Sequence, residues 1–162
     1  MKWILVAALL FVSGGSFYLV GCSESASANI AAAAESTLAA VVAQGAGAAN
    51  GVYGDKTMQL MDSEEEFNNA LYRYGVKASK PVDFNTQSVV LLDMGMHMNS
   101  GYSVSVSSIE QGDGFVKLNI RNRIPGKNCA SSPLLSSPFV MVTVPRENEV
   151  IYSETIEQST CG

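Results

Sequence analysis

"YSVSVSSIEQGDGFVKLNI", Tyr102 to Ile120, decides the fold of this chain. Tyr102 to Val106 alternates polar with apolar residues, and Phe115 to Ile120 does the same. Period-two alternation marks a strand with one buried and one wet face. Between the two runs, Gly112, Asp113 and Gly114 can supply the positive φ values that a tight turn needs. The stretch is therefore expected to be an antiparallel hairpin. Its surroundings also read as strands: Lys56 to Met61, the β-branched and apolar Ser88 to Asp93, and Phe139 to Val144 and Glu149 to Ser153, joined by "PREN".

One helix precedes most of them, in "DSEEEFNNALYRYG". Asp62 or Ser63 can cap it, and Glu64, Glu65 and Glu66 suit its positive end. Phe67, Ala70, Leu71 and Tyr74 recur at helical spacing and form the stripe that faces a core. The glutamates are thus a solvated helix start rather than a calcium site, and Gly75 ends the helix. The expected fold class is α+β, mainly β: an antiparallel sheet or small sandwich of five or six strands, with one amphipathic helix near its start and one disulfide.

Upstream, Lys2 precedes an apolar run from Trp3 to Val20, the layout of a secretory signal. It ends in Leu19-Val20-Gly21-Cys22, which resembles the lipobox of bacterial lipoproteins. That resemblance implies a signal peptide over residues 1–21, removed before an acylated Cys22. Two or three acyl chains hold a protein stably on a membrane. Ser23 follows the cysteine, and by similarity to sorting in Gram-negative lipoproteins it permits transfer to the outer membrane. Residues 22–50 then read as a lipidated Ala/Ser/Gly-rich tether, a spacer or a tolerated arm. Within it, Asn29 to Gln44 could form a short helix stopped at Gly45, because alanine has the highest helix propensity. Residues 51–162 are expected to be the single folded domain. The formal net charge of −5 argues against nucleic acid and against an electrostatic grip on anionic lipid.

Once Cys22 is set aside, Cys129 and Cys161 remain. In an oxidising compartment such a pair is expected to form a disulfide, fastening the C-terminus. Two free thiols serving as metal ligands are the alternative, without a CxxC spacing to support them. Cys129 belongs to the long connection "RIPGKNCASSPLLSSP", Arg123 to Pro138, which has three prolines and no strand pattern. Loops of that length are commonly functional, and a bridge argues against disorder.

The order of Asp83-Phe84, Gly101-Tyr102, Pro125-Gly126 with Cys129, and Pro138 before "FVMVTVP" resembles the C-terminal domain of the PrcB-like family, from Pro81 to about Glu154. That family takes its name from a lipoprotein subunit of a bacterial surface protease complex. The resemblance implies a non-catalytic accessory lipoprotein that stabilises or scaffolds an exported partner, such as a protease. The approach "MGMHM" is a departure from the family pattern.

In "LLDMGMHMNSGYSV", Leu91 to Val104, three readings compete. A continued strand would put Met94, Met96 and Met98 on one face, filling irregular core gaps, with His97 on the other. Thioethers with an imidazole would suit Cu(I), but that alternation does not gather them. The third reading is a contact corner in which Asn99, Ser100, Gly101 and Tyr102, with Pro125 and Gly126 of the long loop, meet a protein partner. "NSGY" also resembles the glycine-tyrosine loop of chagasin-type inhibitors of cysteine proteases, which makes inhibition the rival function. That family's neighbouring threonines and its Arg-Pro-Trp loop have no counterpart here. His97 is the sole histidine, and no GxSxG, phosphate-binding glycine loop or HExxH occurs. The chain is therefore expected not to be an enzyme and to need no cofactor or metal; no pattern identifies a small-molecule ligand. If Cys22 carries the lipid, Cys22→Ser will leave an unprocessed precursor without incorporated palmitate; normal processing and labelling of that variant would remove the lipoprotein reading.

Overall fold

Val89-Val90-Leu91-Leu92 and the run Phe139 to Val144 contain almost no polar side chain, and such strands need cover on both faces. A computed structural model, describing residues 39–47 and 54–161, shows what covers them. The elements are β1 (Ala40–Gly45), β2 (Thr57–Met61), α1 (Glu64–Tyr74), β3 (Gln87–Asp93), β4 (Ser103–Gly112), β5 (Phe115–Ile124), β6 (Phe139–Pro145) and β7 (Glu149–Gln158). They form a four-stranded antiparallel sheet, β1-β6-β3-β2, and a three-stranded sheet, β4-β5-β7. Cys22 and most of the expected tether lie outside the described residues.

β3 and β6 are the central pair. Their register sets Val90 opposite Val142 and Leu92 opposite Val140, and these four meet Val104, Val116, Leu118 and Ile120 of the second sheet. The alternate residues Val89, Leu91 and Met141 face the other way, onto Phe67, Ala70, Leu71 and Tyr74 of α1. The result is three layers: helix, buried sheet, half-buried sheet. Fully burying an aliphatic side chain contributes about 1.5–3 kcal/mol, so the doubly covered strands carry most of the stability.

α1 forms as its sequence suggests. Ser63 Oγ accepts from the Glu66 amide at 3.3 Å, and the Glu66 carboxylate returns to accept from the Asp62 amide at 3.0 Å. This resembles a capping box, with the carboxylate reaching the amide one residue before the cap, and it satisfies one of the donors that the first turn leaves open. Gly75, at φ 65°, closes the other end while Val76 donates to the Leu71 carbonyl at 3.0 Å.

One expectation changes. Residues 40–44 are strand rather than the end of a helix, so the folded unit begins at or before Ala40 and the tether does not extend to residue 50. The reason is tertiary: helix propensities differ by less than about 1 kcal/mol per ordinary residue, whereas β1 buries Val42 and Ala43 and covers an edge of β6. It also satisfies a buried hydroxyl, since Thr143 Oγ1 accepts from the Ala40 amide at 3.0 Å and donates to the Ala40 carbonyl at 3.2 Å. β6 and β7, although consecutive in the chain, do not pair with each other. Both edges of β6 are taken by β1 and β3, so the chain crosses to the other sheet, where β7 runs parallel to β5. The strand through Leu92 stops at Asp93, as its pattern suggests, which sets aside the continued-strand reading of the methionines that follow.

Cys129 and Cys161 are bridged, tying the loop after β5 to the tail after β7. Closing a loop of that size contributes about 3–4 kcal/mol by the chain-entropy estimate. Cys129→Ser and Cys161→Ser are therefore expected to lower the unfolding free energy by similar amounts in denaturant titration, with the double variant no worse than either.

Candidate functional site

Asp93 ends β3 inside the protein, and a buried carboxylate must have its lone pairs occupied. Oδ1 accepts from the Gly95 amide at 2.8 Å and from the Ser137 hydroxyl at 2.8 Å. Oδ2 accepts from the Tyr74 hydroxyl of α1. Burial, and then the neighbouring carboxylate, push the Tyr74 phenol above its ordinary value, which keeps it a donor. One side chain thus holds together the helix, the loop leaving β3 and the loop entering β6.

Gly95 then turns the chain. It sits at φ 82°, where a Cβ would stand 2.7 Å from the Lys56 backbone nitrogen. Extended geometry ends there, and the expected methionine row does not form. Met94 packs against the core between the sheets. Met96 and Met98 instead point to solvent.

From His97 onward the loop runs beside the second half of the long connection. The His97 amide donates to the Ser136 carbonyl at 2.8 Å and the Ser136 amide returns to the His97 carbonyl at 3.0 Å. Ser136 Oγ donates to the Asn99 carbonyl at 3.2 Å. The Ser100 amide donates to the Ser132 carbonyl at 2.9 Å, and Ser100 Oγ accepts from the Ser132 amide at 3.0 Å. These bonds explain why the proline-rich connection is ordered without being a strand: its serines close onto the opposite backbone.

Of the predicted contact residues, Asn99, Ser100, Gly101, Tyr102 and Pro125 come together. Gly101 adopts φ 99°, with Pro125 so close that a Cβ would lie 3.3 Å from its side chain. Gly126 serves packing instead: a Cβ there would stand 2.1 Å from the Ser159 carbonyl, where the tail crosses beside the disulfide. Sequence reasoning missed the most exposed apolar part of the corner. Met96, Met98, Leu134 and Leu135 are 44%, 68%, 61% and 45% exposed, two from each of the clamped loops. The signal available was "PLL" inside a loop, apolar residues where no strand or helix needed them. Among the described residues no cluster of histidine, cysteine and carboxylates is arranged to hold a metal.

His97 is half-buried in this loop. Its ring stacks on Tyr102, centroids 3.8 Å apart and planes 7° from parallel. Its Nε2 is buried without a hydrogen-bond partner. Burial lowers its pKa, outweighing the Asp93 charge that would raise it. The unfolded chain therefore takes up a proton in the ordinary histidine range near pH 6.5, the folded chain only below it. Stability from this group is complete above that range and is lost as pH falls through it. Thermal unfolding should be flat above about pH 7 and decline as pH falls below about 6.5. In His97→Phe, which keeps the stack, that decline should vanish; an unchanged decline would remove His97 as its cause.

The corner and the strands that carry it can be set beside known proteins. Comparison with curated proteins and with solved structures returned no match. Residues 88–145 match the family described as PrcB C-terminal. The match runs from Ser88 in β3 to Pro145 at the end of β6, so it contains the central strand pair, the hairpin and both clamped loops, and it leaves out β1, β2, α1, β7 and Cys161. Over residues 88–145, this chain carries a PrcB C-terminal domain.

Proposed function

We propose that the chain is a non-catalytic binding subunit of the cell envelope, anchored through a lipid on Cys22, which stabilises or scaffolds an exported protein complex such as a protease. The observation that carries this reading is the exposed group Met96, Met98, Leu134 and Leu135 on two loops clamped to each other. Exposed apolar side chains gathered in one place mark contact surfaces. Methionine adapts its shape to a partner, while the backbone beneath is held by the Asp93 network, so little ordering has to occur on binding. Tyr102, half-buried and stacked on His97, braces the loop. The anchor rests on the lipobox, and the accessory role rests on the family match.

The test is selective removal of the apolar group. Exchanging Met98 and Leu134 for glutamate should change the melting temperature by only a few degrees, because both are exposed. Recovery of the partner by cross-linking from detergent-solubilised envelopes should fall about tenfold or more, as expected for apolar contacts worth over 1.4 kcal/mol. Unchanged recovery from a folded double variant would dismiss this corner as the interface.

A further inference from the structure

The four outer strands of the two sheets are finished differently. β1 carries a register shift between Val41 and Ala43, and β4 one between Val106 and Ser108. Such bulges twist an edge away and discourage further pairing. β2 and β7 have none: each keeps continuous register with its single neighbour. These two regular edges lie on the same side of the molecule, because Lys56, just before β2, forms an ion pair with Glu154 of β7.

The residues along that side are also unusual. β2, "TMQLM", contains no charge and no proline, the two commonest guards of an exposed edge. Met58 pairs with Leu92 and Leu60 with Val90, so both share the face that meets the second sheet, yet they remain 41% and 46% exposed. On β7, Tyr152 and Ile156 share the inward face of Leu118 and Asn122 and are exposed as well. The two sheets thus leave a seam along one flank, apolar apart from the Lys56–Glu154 ion pair and bordered by the uncharged edge of β2. No described element covers it.

Charge narrows what fits there. Asp55 lies before β2, and Asp62, Glu64, Glu65 and Glu66 follow it, all exposed and none in an ion pair among the described residues. The cations nearby are already engaged, Lys56 with Glu154 and Arg73 in a hydrogen bond to Gln59. An uncharged strand edge with acids at both ends disfavours a second copy of itself, whose acids would meet these. We infer that the β2 edge accepts an extended segment of another protein by strand addition, with apolar side chains at alternate positions on the seam and basic residues at its ends. This surface is separate from the methionine-leucine corner and lies outside residues 88–145, so it does not depend on the function proposed above.

The experiment uses the full chain in detergent and two acetylated peptides, Lys-Val-Thr-Val-Thr-Val-Thr-Lys and its glutamate-ended counterpart. Amide hydrogen exchange reports which edge gains protection, and a titration gives relative affinity. The lysine-ended peptide should protect β2 and bind about tenfold more tightly than the glutamate-ended one, a ratio that shrinks with added salt. Leu60→Lys, or Met58→Lys should the first prove unstable, should abolish the protection while the melting curve is retained. Met98→Glu should leave it intact, separating this site from the corner. Equal affinity for both peptides, protection at β1 or β4, or no binding would overturn the inference. A concentration-dependent dimer abolished by Leu60→Lys would also overturn it, by making a second copy the occupant.

Discussion

The ladder between β3 and β6 has no wet face, and the remaining elements are arranged to keep it dry. Val90, Leu92, Val140 and Val142 on one side, and Val89, Leu91 and Met141 on the other, each need a partner layer. α1 supplies one and the β4-β5 hairpin the other. Buried area is what makes a domain of this size stable, because only the doubly covered strands remove whole side chains from water. β1 belongs to the same logic: without it, β6 would expose an apolar edge and the buried Thr143 hydroxyl would lose its partner.

The corner that we assign to binding inherits its order from this ladder. Asp93 is the last residue of β3, placed where the helix layer, the departing loop and the returning loop all reach it. Its two oxygens accept three hydrogen bonds, so the loops begin from an anchored end and are then joined residue by residue through backbone and serine hydroxyls. That arrangement reconciles two features that otherwise conflict: long, proline-containing loops and a preorganised surface. The histidine beneath contributes through its stack on Tyr102 and its partial burial.

The two proposed surfaces differ in physical kind. The corner offers side chains, on loops joined to each other by backbone and serine hydrogen bonds. The β2 edge offers backbone, with few side chains to set specificity beyond an apolar seam and acidic ends. The first lies within residues 88–145, and the second is built from elements added around them.

Much of the fold could be read from the sequence because local rules and burial agree there. The hairpin at Gly112 to Gly114, the Ser63 cap, the Gly75 stop and the α1 stripe all follow from residues within a few positions of one another. The Cys129–Cys161 bridge followed from counting cysteines once Cys22 was set aside. Non-local pairing was hidden. Residues 40–44 end an alanine-rich run read as helix but pair with β6, about a hundred residues away, and no local preference can report a vacant edge on a distant strand. Likewise "PREN" looks like a simple turn; only the occupancy of both β6 edges sends β7 to the other sheet. In "MGMHM" the alternation suggested a strand, and the approach of Lys56 to Gly95 decided otherwise. From Thr57 onward, the sequence by itself determined which segments are strands and where the helix starts and stops, since those depend on neighbours along the chain. Which strands meet, and therefore which methionines reach solvent, was decided by tertiary structure, because each edge and face can be covered only once.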